Sequence, residues 1–286
     1  MYTRRVGMFV GVLCGLVASA VQADDGVTLR YKRTKGEREF SLEKTVTKQS
    51  QTLMGMTFET SVESDVISSS TVDDIDEKGN YHLSQKTERI KVKGDFGAAG
   101  GTFEFDSKSS ERDKASQIGV LLTPVLERMS GAVIQVVITP QGEVKEVKGF
   151  TELFSDLLKD NPLASQFTGG GTDEAAKFGV QARLPRFDKP LQIGDAWEVP
   201  LRIELPNVGK VTGKQVYKYV GPEKVGDRVT AKLEVGGDLA VDVNVEQGGA
   251  QVTGSIKTTS STGTILFDVE AGHILSSEGT QIMGGD

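Results

Sequence analysis

The chain has 286 residues, 26% of them charged, with a formal net charge of −7, one cysteine and two histidines. That balance argues against nucleic acid, because an acidic chain is repelled by phosphate backbones and anionic lipid surfaces, and its basic residues are scattered. With one cysteine there is no internal disulfide and no thiolate metal cluster, so the fold must rest on its core.

Residues 1–23 read as a secretory signal: Arg4 and Arg5, an apolar run from Val6 to Val17, and small residues before a cut at Val21-Gln22-Ala23, with Ala18-Ser19-Ala20 as a second site. The run is shorter than the roughly 18 residues that a spanning helix needs. Cys14 lies inside it after Gly11-Val12-Leu13, an arrangement unsuited to lipidation. Taking Arg4 and Arg5 from the 33 basic residues leaves 31 against 40 acidic ones, a mature net charge of −9. The expectation is an exported chain, periplasmic or extracellular, that is not an integral membrane protein after cleavage. Residues 24–286 are read as a single β-rich domain, divisible into β halves at 24–110 and 190–286 around a helical middle at 111–189.

From Val27 to Val92 the pattern is extended. Leu29 and Tyr31 alternate with Arg30 and Lys32, Lys35-Gly36-Glu37 turns, Thr57 to Glu63 alternates cleanly, and Asp76 to Asn80 is a hairpin turn before Tyr81. A glycine-rich loop at Gly94 to Gly101 leads into a short strand, Thr102 to Asp106; with no Lys-Ser or Lys-Thr following, it is not a phosphate loop. Gly169-Gly170-Gly171 makes no better one.

Ile118, Leu121, Leu122, Val125, Leu126 and Met129 recur at three and four, which predicts an amphipathic helix over Asp113 to Met129, kinked or restarted at Pro124. A hairpin follows, with Val133 to Thr139, the turn Pro140-Gln141-Gly142, and Val144 to Val147. Thr151 is the expected cap of a second helix with Leu153, Phe154, Leu157 and Leu158 on one face, stopped by Asn161-Pro162. A third helix runs from Asp173 to Ala182 with Thr172 as its cap. Gly194-Asp195 is a tight turn, after which Trp197, Val199 and Leu201 begin a half-buried strand.

The remainder is strands: Val208 to Val220, Arg228 to Val235, Leu239 to Val245, Gln251 to Thr259, Gly263 to Val269 and Ile274 to Gln281, with turns at Gly236-Gly237 and Gln247-Gly248-Gly249. Gly101 to Asp106 and Gly263 to Asp268 each read Gly-Thr and later Phe-Asp, which raises a duplicated β unit. The fold class is mainly β (α+β): a large curved antiparallel sheet or half-barrel with two or three amphipathic helices inserted in the middle.

His82 and His273 sit in separate strand runs, too far apart in pattern for a zinc pair and each better read as a strand residue. There is no Gly-x-Ser-x-Gly elbow. In Asp73 to Asn80 the carboxylates two apart invite calcium, but Lys78 occupies a ligand position and the closing Glu is missing, so a solvated hairpin is favoured. No catalytic residue, cofactor or metal is expected. Leu121, Val125, Leu153, Leu157 and Trp197 are the candidates for lining an apolar pocket between helices and sheet, against the plainer reading that they fill a core.

Leu29-Arg30-Tyr31-Lys32 with Lys35-Gly36-Glu37, then Gln141-Gly142-Glu143-Val144, Leu184-Pro185 followed by Gly194-Asp195-Ala196-Trp197, and finally Phe267-Asp268-Val269-Glu270-Ala271-Gly272 come in an order that resembles exported bacterial proteins of domain-of-unknown-function family 6263. The resemblance implies export and β-rich architecture and brings no catalytic residues. At the level of fold alone, a curved sheet with helices is similar to the half-barrel of periplasmic lipoprotein carriers. The expected function is noncatalytic: binding of an envelope protein or an apolar ligand. A purely structural interaction module and a hydrolase are the alternatives.

Overall fold

The computed structural model describes residues 26–53, 56–112, 116–160, 171–205, 209–247 and 250–285; the expected signal segment, the Asn161-Pro162 stop and Gly248-Gly249 lie outside them. The mainly β class holds, with helices inserted in the middle. The strands divide into two antiparallel sheets, neither closed, rather than one large sheet or half-barrel.

The N-terminal sheet has six strands. Alternation in the Ser/Thr/Val-rich stretch produces β1 (Arg38–Leu53), β2 (Met56–Ile75) and β3 (Tyr81–Asp95), paired in that order. Two strands share the far side of β3: β4 (Thr102–Asp106) takes its second half, and β5 (Val133–Ile138) its first. β6 (Val144–Lys148) closes the order beyond β5. Thus the hairpin in the helical middle belongs to the N-terminal sheet.

The Gly94 to Gly101 loop contains one helical turn, α1 (Gly97–Gly100). The helix α2 (Gln117–Met129) starts at Ser116, whose hydroxyl accepts from the Gly119 N–H, and continues unbroken through Pro124. Its apolar face meets the inner face of the sheet, where Ile90, Phe103, Phe105 and Leu122 form a buried cluster. Against it lies α3 (Phe150–Asp160). Thr151 does not cap its own helix: the Asp173 carboxylate accepts from the Phe150 and Thr151 N–H groups, and the Thr151 hydroxyl accepts from the Asp173 N–H. Asp173 opens α4 (Asp173–Gln181), capped by Thr172 as expected.

The C-terminal sheet is a five-stranded meander of β7 (Ala196–Leu205), β8 (Gly209–Val225), β9 (Arg228–Gln247), β10 (Ala250–Asp268) and β11 (His273–Gly285). Gly236-Gly237 does not end a strand. Gly237 has φ +155°, a Cβ there would strike the Lys214 carbonyl of β8, and the twenty-residue β9 bends through it. Gly213, Gly263 and Gly279 lie on neighbouring strands beside this bend, next to the break in register between Lys257 and Gly263.

Gly101 to Asp106 and Gly263 to Asp268 occupy unlike places, since β4 pairs only with β3 whereas β10 is interior. Their local jobs match nonetheless. In each the phenylalanine is buried, and the aspartate accepts from a turn N–H and pairs with an arginine on a neighbouring strand, Arg89 or Arg228.

Candidate functional site

The segments that carry the family resemblance meet in space. Residues 26–37 form a strap across both sheets. Val27 bridges Leu191, the Tyr31 N–H donates to the Pro140 carbonyl, the Lys32 N–H to that of Gly272, and the Gly36 N–H to that of Val72. The Tyr31 ring, fully buried, stands edge-on to Phe267 with centroids 5.3 Å apart and lies 5.8 Å from Phe187. Phe187 also meets Phe267 and Trp197, and Trp197 stacks on Tyr217 at 5.4 Å. Gly142 has φ +86°, and a Cβ there would meet the Tyr31 ring and the Pro185 carbonyl. Burial pushes the Tyr31 and Tyr217 hydroxyls above their ordinary range, so they serve as neutral donors, to Pro185 O and to Gln215 Oε1. This is a joint that holds two sheets together.

The five candidates for a pocket are not brought into one place. Val125 is buried with Phe154 where α2 meets α3, and Leu153 packs on that cluster. Leu121 is half-buried on α2; Leu157 lies in α3, with its side chain outside the described set. Trp197 belongs to the aromatic joint, its indole N–H buried without an acceptor among the described residues.

The titratable candidates also have structural partners. The Asp76 carboxylate accepts from the Asn80 side chain and from the Asn80 and Lys78 N–H groups, which lowers its pKa to about 2. Asp74 pairs with Lys35, and Asp73 accepts from the Ser84 hydroxyl. Asp76 closes the hairpin turn, while Asp74 and Asp73 are taken up by the strap and by β3. His82 lies 3.5 Å from Asp76, and His273 lies 3.9 Å from Glu39 at the other end of the joint. Among the described residues no three His, Cys, Asp or Glu side chains are grouped to hold a metal ion.

Two open clefts are lined by polar groups. One, of about 770 Å³, lies on the outer face of the C-terminal sheet at its bend, where Lys218, Glu234, Thr264 and Glu278 stand in a row across four strands. The other, about 460 Å³, lies on the outer face of the N-terminal sheet around Asp65, Lys91, Glu104 and Asp106. None of the five pocket candidates lines either cleft.

The outer face of the N-terminal sheet is ordered in columns of charge. Glu63 and Asp65 of β2 stand opposite Lys93 and Lys91 of β3, which stand opposite Glu104 and Asp106 of β4. Arg89 closes on Asp106 at 2.6 Å and Lys93 on Glu104 at 3.3 Å, so the Asp106 carboxyl is held well below the usual carboxylate range. On the other side of β2, Asp65 stands opposite Lys44 of β1 and Glu63 opposite Val46; the outward face of β1 carries Lys44, Lys48 and Arg38, the last already paired with Glu88 at 2.7 Å, interleaved with Phe40, Leu42 and Val46. Those three apolar side chains are 60%, 57% and 62% exposed. Their alternation is legible in the sequence; that they stay exposed, with the Arg38 guanidinium 4.8 Å above the Phe40 ring, is not.

The chain was compared with known proteins in three ways. The model of a family of unknown function (DUF6263) matches residues 78–274. No curated protein and no solved structure matches.

Proposed function

The chain belongs to that family of unknown function, and from this premise we propose that the protein is an exported, noncatalytic binding protein of the cell envelope, whose partner is another protein held at the free edge of β1. The observation that carries this reading is β1 itself. Sixteen residues long, it pairs among the described residues with β2 alone, is exposed over residues 41–50, and presents Phe40, Leu42 and Val46 to solvent. A long edge strand with apolar side chains is a template for another chain, and soluble proteins generally blunt such edges.

The apolar-ligand reading draws less support, because Val125 and Leu153 fill a helix interface. The hydrolase reading has His82 and His273 each beside a carboxylate but in different parts of the fold. Export itself is tested by fractionating cells and sequencing the mature N-terminus near Asp24. Partner binding is tested with a photo-crosslinking residue at Leu42 or Val46, and at Thr264 as a control on the other sheet. A discrete protein adduct from β1 positions alone is expected; equal adducts at Thr264, or none at β1, would count against the proposal.

A further inference from the structure

We infer that the free edge of β1 takes up an extended segment of its partner as an added strand, and that this segment alternates acidic with apolar side chains on the face continuous with Phe40, Leu42 and Val46. The inference rests on the partner-binding reading above and gives it a chemistry.

The edge is suited to strand addition. β1 contains no proline and no glycine, and its pairing with β2 runs from Arg38↔Thr71 to Leu53↔Met56 without a break in register. An unbroken strand offers a regular ladder of backbone donors and acceptors to an incoming chain. The other edges are poorer templates. β11 has two register shifts against β10 and carries Gly279, Gly284 and Gly285; β7 contains Pro200; β6 is five residues long and is packed by α4.

Charge then selects the occupant. Across the outer face the row Asp106, Lys91, Asp65 and Lys44 alternates in sign from β4 to β1 and ends on a base, the neighbouring row Glu104, Lys93 and Glu63 ends on Val46, and Lys48 adds a second base to the same face of β1. Opposite charges directly across neighbouring strands are favourable and like charges unfavourable, so the next column outward is acidic. Between those charges, the apolar side chains of β1 need apolar neighbours. A second copy of this chain fits badly: the outward face of β1 from Arg38 to Lys48 holds no acidic residue, so two β1 strands paired across a two-fold axis offer Lys44 and Lys48 no opposite charge. The inner face of β1 is already engaged, Glu39 with Arg33 at 2.6 Å and Glu43 with Arg183 at 3.0 Å.

The test uses the mature protein and two synthetic peptides of about ten residues, one with Glu alternating with Val or Tyr at every second position and Thr between them, so that acidic and apolar side chains share one face, the other with Lys in place of Glu. Fluorescence anisotropy should show binding of the acidic peptide and not of the basic one. Lys44→Glu combined with Lys48→Glu should weaken the acidic peptide about tenfold and admit the basic one, with an unchanged melting temperature confirming the fold. Leu42→Pro should abolish binding of either. Failure of the acidic peptide, or binding indifferent to the charge reversal, would overturn the inference. So would a dimer lost with Leu42→Pro, or binding to anionic phosphatidylglycerol vesicles that depends on Lys44 and Lys48 while neither peptide binds. Crosslinks from Leu42 without acidic-peptide binding would leave the partner reading standing and remove only this chemistry.

Discussion

The two sheets solve the same packing problem differently. The N-terminal sheet has two apolar contacts: its first part meets the C-terminal sheet at the aromatic joint, and its second carries α2 on a cluster of its own built from Ile90, Phe103 and Phe105. The C-terminal sheet is a plain meander of long strands, and its fully buried Leu233 and Phe267 both belong to the shared cluster. The difference teaches that the joint is the common dependency of both sheets, whereas the helix-covered cluster serves one.

Phe267→Ala is the largest expected break in that comparison. It removes a fully buried ring that touches Tyr31 and Phe187, and should cost about 3–5 kcal/mol. Amide exchange should rise in both sheets together; a rise confined to β10 and its neighbours would show that the joint does not couple them. Phe103→Ala should cost about as much in stability while loosening chiefly β3, β4 and α2.

Trp197→Ala should follow at about 3 kcal/mol, the low end for a large aromatic, because the side chain is half-buried and its N–H lacks an acceptor among the described residues. Denaturant titration would measure it, and an unchanged midpoint would make the tryptophan dispensable to the joint. Gly237→Ala probes the bend and should cost about 1–3 kcal/mol, since any Cβ meets the Lys214 carbonyl. Its effect on exchange should stay in the C-terminal sheet.

The smallest effect is one of pH. Because Asp106 is depressed in the folded state, first by Arg89 and then by the Lys108 N–H, its contribution is present above the ordinary carboxylate pKa of about 4 and is lost as pH falls below it. Asp106→Asn should therefore lower stability at pH 7 and flatten the acid limb below about pH 4, the two proteins converging at low pH. Urea midpoints across that range would read it, and an unaltered acid limb would show that the Arg89 pair adds nothing.

Local rules were readable where one residue sets its own conformation. The turn at Gly194, φ +94°, the Thr172 cap and the hairpin turn at Asp76 are all governed by neighbours within a few positions. They fail where a distant group supplies the partner. Thr151 looks like a cap because it precedes an apolar helix face, yet Asp173, twenty-two residues on, takes that place. Gly236-Gly237 looks like a turn, yet its pairing with Val216 and Gln215 of β8 keeps it within the strand.

By itself the sequence determined the mainly β class, the order of most strands and the helices between them, because alternation and three-four periodicity state which side of an element is apolar. It also pointed to the segments that make the joint, though as scattered turns and strand starts. Only the tertiary structure decided what each apolar side faces. Val125 and Leu153 are satisfied by one another's helices, Trp197 by Tyr217 and Phe187, and Phe40, Leu42 and Val46 are left in solvent. Periodicity marks a face as apolar, but whether that face is covered depends on which distant element arrives there.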